Sequence, residues 1–240
     1  MHWDFALILI LLATAVPLLS RRRIRQLMQM PQTTKRDRLT LYASTVAFQW
    51  VAVAVVLWRT AAHGIGAPAL GLAIRDSGLT IVVSILLAGL IFANQVISLR
   101  RITFRPSEAQ GVLPELALKI FPQDTTERLA FLAVVATVAF CEEVIYRGFA
   151  QRVFQDWSGG LATVGILASA AIFSVAHLYQ GRRGLISTLI VGILFSTVRA
   201  WTESLVPPLA AHFVADLMAG MLAPSRLRAS RAPSGSLPVT

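Results

Sequence analysis

Residues 129–149 read LAFLAVVATVAFCEEVIYRGF. From Leu129 to Cys141 the stretch is apolar apart from Thr137, and it then carries Glu142, Glu143 and Arg147. About 20 helical residues cross the ~30 Å hydrocarbon core of a bilayer, so the stretch has the length of a membrane span. A charged side chain at a lipid-facing helix centre costs about 2.5–3.5 kcal/mol on insertion scales. Three of them on one segment therefore require partners from elsewhere in the chain or a water-filled cavity.

The rest of the sequence agrees with a membrane setting. Its 240 residues are 55% hydrophobic and 14% charged, with a mean hydropathy of +0.66, which is too apolar for an ordinary soluble domain. Seven stretches are long and apolar enough to be spans: Phe5–Ser20, Leu39–Trp58, Leu79–Leu99, Leu129–Phe149, Leu161–Tyr179, Leu185–Trp201 and Leu205–Leu222. The predicted fold class is all-α, a polytopic membrane protein of about seven transmembrane helices. The membrane domain covers 1–222, with a catalytic core over 124–222, and 223–240, rich in Ser, Pro and Arg, is predicted to be a disordered cytoplasmic tail.

Charge placement sets the orientation, because cytoplasmic loops carry the excess of Lys and Arg. Arg21–Arg38, Arg100–Lys119, Arg182 with Arg183, and the tail are basic, whereas the alternate connections offer only Arg59, Arg75, Arg152 and Arg199. This pattern places the N-terminus outside and the C-terminus in the cytoplasm. The first span reads as a retained anchor, since its arginines follow rather than precede it, the reverse of a secretory signal. The net charge of +10 is dispersed among these loops, so no nucleic-acid partner is expected. The single Cys141 excludes an intramolecular disulfide and a cysteine-based metal cluster.

Local signals punctuate the core. DTTE at Asp124–Glu127 is a helix-capping arrangement, Gly159 and Gly160 mark a helix end, and Gly111–Pro122 is predicted to form a short interfacial helix. Within the spans only Glu142, Glu143 and Asp216 are acidic, and only His177 and His212 are histidines. Residues four apart share a helical face, which pairs Glu143 with Arg147, His212 with Asp216, and Phe173 with His177. If the fourth and fifth spans are regular helices turning at Gly159–Gly160, Glu142 and His177 are equidistant from the turn and lie at one depth.

Each residue has a blander use: a lone buried histidine is usually a packing residue, and Glu143 with Arg147 is as readily a structural ion pair. Convergence is what favours chemistry. A carboxylate and two imidazoles in a low-dielectric cavity have two uses that stay open: binding a metal such as Zn²⁺ through Glu142, His177 and His212, or activating water through Glu142 as general base. Both end in hydrolysis. Intramembrane Glu, His and Asp also build proton-coupled transporters, and a non-catalytic membrane scaffold or immunity protein is the third class.

The three patterns together, Glu142-Glu143-x-x-x-Arg147 with Phe149, Phe173-x-x-x-His177, and His212-x-x-x-Asp216, resemble the CPBP family of intramembrane proteases, which groups CAAX proteases with bacteriocin-processing (Abi) proteins. The resemblance covers Leu129–Leu222. It implies cleavage of a peptide bond in a membrane-associated peptide or protein substrate, reached from the cytoplasmic side. Glu142 would activate the water, His177 would share it, and His212 with Asp216 would stabilise the oxyanion or complete a metal site. Glu143 and Arg147 would support Glu142. The resemblance leaves both Zn²⁺ and a metal-independent mechanism open. The short chain and compact loops suggest a prokaryotic plasma membrane, where a prenylated substrate is not expected. Asp216 stands where the family pattern has Asn or Asp.

Overall fold

The computed structural model of the protein describes residues 2–104 and 112–231, with side chains described for 2–101 and 114–222. Ten α-helices are described: α1 (Trp3–Ala13), α2 (Ala15–Gln29), α3 (Lys35–Ala62), α4 (Ser77–Phe104), α5 (Val112–Ile120), α6 (Thr125–Glu142), α7 (Gln151–Trp157), α8 (Ala162–Ala176), α9 (Gly181–Thr202) and α10 (Val206–Arg231). A π-helical segment, Glu143–Ala150, joins α6 to α7, and a 3-10 turn, Leu178–Gln180, joins α8 to α9. No strand occurs among the described residues.

Five helical stretches are long and apolar enough to cross a membrane: Trp3–Gln29, Lys35–Ala62, Ser77–Arg101, Thr125–Trp157 and Leu178–Thr202. Ala162–Ala176 and Val206–Leu222 are shorter apolar helices. These seven coincide with the seven spans read from the sequence. The protein is an all-helical integral membrane protein. The expected interfacial helix is α5, although Gly111 lies outside the described residues. The last helix continues to Arg231, and the remainder of the tail, 232–240, lies outside them.

Local chemistry explains the boundaries. Thr34 and Asp37 form a reciprocal capping box that opens α3. Asp124 Oδ1 accepts from the Glu127 amide at 2.9 Å and opens α6, the role its sequence assigned. The first span breaks at Thr14 because the Pro17 ring has no amide to donate and crowds the carbonyl four residues back. Pro207 and Pro208 sit in the first turn of α10, where the missing amides cost nothing.

α3 and α6 run side by side in the same direction. At their starts Arg38 makes a bidentate pair with Glu127, at 3.0 and 2.7 Å, and both side chains are buried. Lys35 lies 2.9 Å from Asp124 and holds that carboxyl below its usual range, but both groups are about half exposed. Such an exposed pair is screened by solvent and contributes little, whereas Arg38–Glu127 is buried and bidentate and sets the register here. Further along, Tyr42 packs on Phe131 and Trp50 stacks on Phe140.

The segment from Thr125 to Trp157 is the most enclosed of the spans: 56% of its apolar window is buried, against 17–28% for the first three. The first three spans therefore present apolar side chains such as Ile85, Leu86 and Val51 outward, as lipid requires. The central segment is shielded by protein, and every residue of the π segment is buried. This is how the fold accommodates charge at that position.

The chain reverses at Gly159 and Gly160, whose φ values of +73° and +93° suit glycine at a helix C-terminus, as the paired glycines indicated. The returning α8 packs closely: Ser169 Oγ donates to the Tyr146 carbonyl at 2.7 Å, and a Cβ on Gly165 would lie 2.6 Å from the Gln151 carbonyl oxygen. Because that neighbour is backbone, it cannot yield cheaply. Gly165→Val is expected to lower the melting temperature of the detergent-purified protein by several degrees. Gly89→Ala, which faces open space on α4, is expected to leave it unchanged or raise it.

Candidate active site

The site forms where the end of α6 meets the middle of α3, the start of α10 and the end of α8. Glu142 is the last α-helical residue before the π segment. Its Oε1 accepts from Gln49 Nε2 at 3.1 Å, and its Oε2 is buried without a hydrogen-bond partner. Gln49 stands halfway along the 28-residue α3, so the carboxylate is level with the middle of a bilayer-spanning helix.

The expectation of a regular fourth helix is corrected. From Glu143 to Ala150 the backbone is π-helical, and the Gln151 amide donates five residues back to Tyr146. A π turn inserts a residue and is retained mostly where side chains must be re-aimed, frequently at functional sites. Here it begins at the second glutamate.

Glu143 is fully buried and carries the central interactions. Its Oε1 accepts from Arg147 Nη1 at 3.1 Å and lies 2.7 Å from His212 Nδ1. The expected Glu143–Arg147 pair is present. Next to Arg147 the carboxylate is an acceptor, so His212 Nδ1 carries the hydrogen. His212 Nε2 is thereby turned toward Glu142 Oε2, 3.9 Å away, and Asp216 Oδ2, 3.6 Å away. Both gaps exceed a direct hydrogen bond. The three carboxylates are thus joined through one imidazole from α10.

Arg147 has no exposed surface, and its guanidinium carbon lies 4.0 Å from the Phe173 ring centroid and 5.4 Å from that of Phe195. Two aromatic faces thus replace part of the hydration it has lost. Phe173 also meets the His177 ring at 4.6 Å and the His212 ring at 6.2 Å. It is a shared wall rather than a helical stripe.

His177 is not inside a helix: it caps the end of α8, where the chain enters the 3-10 turn. Its Nδ1 lies 2.8 Å from the Phe173 carbonyl. A carbonyl only accepts, so Nδ1 donates and Nε2 keeps its lone pair. No carboxylate oxygen among the described residues lies within 4.0 Å of a His177 nitrogen. The direct carboxylate contacts are made by His212, and His177 stands beside Tyr179, whose ring lies 5.8 Å from its own.

The donor types of Glu142, His177 and His212 suit Zn²⁺, and the Nδ1 bonds of both histidines to acceptors are of the kind that orient metal-binding imidazoles. Their spacing does not. Among the described residues one group of at least three His, Cys, Asp or Glu has all its ligand atoms within 4.8 Å of one another, and that group is His2, Asp4 and His63. Around Glu142 the polar atoms form a chain of contacts, not a cage.

Sequence reasoning missed Gln49. Its signal was present, since an amide in the middle of an apolar span needs a partner just as a charge does, but nothing in the sequence said which helix supplied it.

These features define a buried, carboxylate- and imidazole-rich centre inside a helical membrane bundle. Residues 124–218 match the family described as type II CAAX prenyl endopeptidase, Rce1-like. The match spans the segment that carries all three motifs and is consistent with the CPBP family; it begins at Asp124, the cap of α6, and ends two residues beyond Asp216. No curated protein and no solved structure matches the chain.

Removing Arg147 leaves Glu143 charged and buried without a counterion, which costs about 3–5 kcal/mol. Arg147→Met is expected to abolish a cooperative melt or lower its midpoint strongly. The double variant Glu143→Gln/Arg147→Met is expected to recover much of the loss, because no uncompensated charge remains; a double-mutant cycle on melting temperature reads the difference.

Proposed function

We propose that the chain is an intramembrane endopeptidase that hydrolyses a peptide bond of a membrane-associated peptide or protein. The observation that carries this reading is the pairing of a buried, unpartnered Glu142 Oε2 with an Oε1 already held by Gln49. One oxygen is fixed and the other is free to take a proton from water. The Rce1-like match over the same segment supports the reaction class.

In the proposed reaction a water lies between Glu142 Oε2 and the lone pair of His177 Nε2. Glu142 takes its proton as the water oxygen bonds to the scissile carbonyl carbon. The carbonyl π bond becomes an oxyanion facing the polar side of the cavity, where His212 and Asp216 stand, and Asp216 must be protonated to donate to it. The proton on Glu142 then passes to the departing nitrogen as the C–N bond breaks, leaving a carboxyl and an amine. Glu143 does not meet water in this scheme; it fixes the Nδ1 hydrogen of His212, and Arg147 fixes Glu143. No step is routed through a metal.

The positive-inside pattern supports an N-terminus outside and a cytoplasmic C-terminus, with access from the cytoplasmic side. α3 and α6 start at the same end of the bundle, as an alternating count of spans requires for the second and the fourth.

Glu142→Gln and His177→Ala are expected to reduce cleavage of a membrane-peptide library, read by mass spectrometry, by at least about 100-fold without lowering the melting temperature. Product formation that persists in Glu142→Gln removes the assignment. Metal content measured on the same samples decides between activated water alone and Zn²⁺. Gln49→Ala is expected to lower kcat by about tenfold or more with little change in KM, the loss of one hydrogen bond to a charged group. Proton flux in liposomes with no peptide product from the wild type would favour a transporter instead, and a cellular phenotype that survives Glu142→Gln would favour a scaffold.

A further inference from the structure

At the far end of α3, 14 residues and about 21 Å beyond Gln49, a second polar group is buried that the proposed chemistry does not use. Asp4, in the first turn of α1, is only 6% exposed. Its Oδ2 accepts from Arg59 Nε at 2.7 Å and lies 3.0 Å from His63 Nε2. Arg59 and His63 belong to the last turn and cap of α3, so this contact fastens α1 to α3. Its Oδ1, however, is buried with no hydrogen-bond partner. A buried acceptor left unsatisfied is destabilising, and the ion pair with Arg59 accounts only for the other oxygen.

Two imidazoles stand beside that carboxylate. The rings of His2 and His63 lie 3.7 Å apart between centroids, tilted by 30°. Two imidazolium ions would repel at that distance, whereas two neutral rings each offer a lone pair. One ligand atom from each of His2, Asp4 and His63 lies within 4.8 Å of the other two. In a tetrahedral zinc site, with bonds of about 2.0–2.1 Å, ligand atoms sit about 3.4 Å apart. The exposed His2 has the freedom to close the difference, and its exposure provides the route of entry.

We propose that His2, Asp4 and His63 form a binding site for a divalent transition-metal cation of the Zn²⁺ class. Asp4 Oδ1 and one nitrogen from each histidine are the protein ligands, water completes the coordination, and Arg59 holds Asp4 Oδ2 from behind as the outer partner. The neighbouring guanidinium repels a cation, so the site is of moderate affinity rather than a permanent structural zinc. A bound cation ties the start of α1 to the end of α3. The same stack includes Phe5, 4.9 Å from His63 and 5.2 Å from Phe149 in the π segment, so binding there also stiffens the outer wall of the catalytic segment.

The test uses the full chain without an affinity tag, purified in detergent, stripped with chelator and titrated with Zn²⁺. Bound metal per chain and melting temperature are read for the wild type, His2→Ala, His63→Gln and Glu142→Gln/His177→Ala; the last removes two candidate ligands from the proposed active site. Expected are one equivalent of Zn²⁺ and a metal-dependent rise in melting temperature in the wild type and in Glu142→Gln/His177→Ala. Both effects weaken at least tenfold in zinc concentration in His2→Ala and in His63→Gln. Since His2 is exposed, His2→Ala retains the fold even if His63→Gln does not. Equal binding in His2→Ala and wild type, loss only in Glu142→Gln/His177→Ala, or no binding by the wild type overturns the proposal. None of these readouts depends on proteolysis, so the site stands or falls independently of the proposed activity.

Discussion

The bundle is organised around a charge that cannot be left alone. Glu143 and Arg147 are both fully removed from solvent, in a region where water cannot compensate them. Two ions in such a setting repay their desolvation only when held in good geometry with further hydrogen bonds. The rest of the site supplies part of this: His212 from α10 donates to the same carboxylate oxygen and the rings of Phe173 and Phe195 flank the guanidinium, while Glu143 Oε2 and Arg147 Nε and Nη2 have no hydrogen-bond partner among the described residues. Each partner comes from a different helix, so satisfying this pair also fixes how α6, α8, α9 and α10 sit together.

The catalytic reading follows from that arrangement. Among the described residues both glutamates keep one oxygen without a hydrogen-bond partner, but Glu143 is fully buried with its other oxygen held by Arg147 and His212, whereas the Glu142 side chain retains 14% exposure. Two adjacent glutamates thus have different surroundings, and the proposed reaction gives them different uses. Both have ordinary α-helical backbone angles, one side chain meeting Gln49 and the other Arg147, and the π segment opens at the second of them. The α-helical turn sets neighbouring side chains about 100° apart.

Much of this was legible beforehand because a bilayer makes polar residues conspicuous. In a soluble chain Glu142, His177 and Asp216 would be lost among many others; inside apolar spans each demands an explanation. The spans, the cap at Asp124, the reversal at Gly159–Gly160 and the Glu143–Arg147 pair all rest on local chemistry, within a few residues, and the structure contains each of them. The level placement of Glu142 and His177 rested on two regular helices, and the π segment and the early end of α8 break that regularity. The centre is joined directly by His212 instead. Gln49 and the His2–Asp4–His63 group were illegible for another reason: their partners are 93 and about 60 residues distant in sequence, and no pattern links them.

By itself the sequence determined the membrane setting, the number of spans and the polar residues that must find one another, because hydropathy, capping and i,i+4 spacing act over one or two turns. Tertiary structure alone decided which partner each of those residues took. That choice depends on how parallel and antiparallel helices align over tens of residues, and on a local change of helical pitch from Glu143 to Ala150.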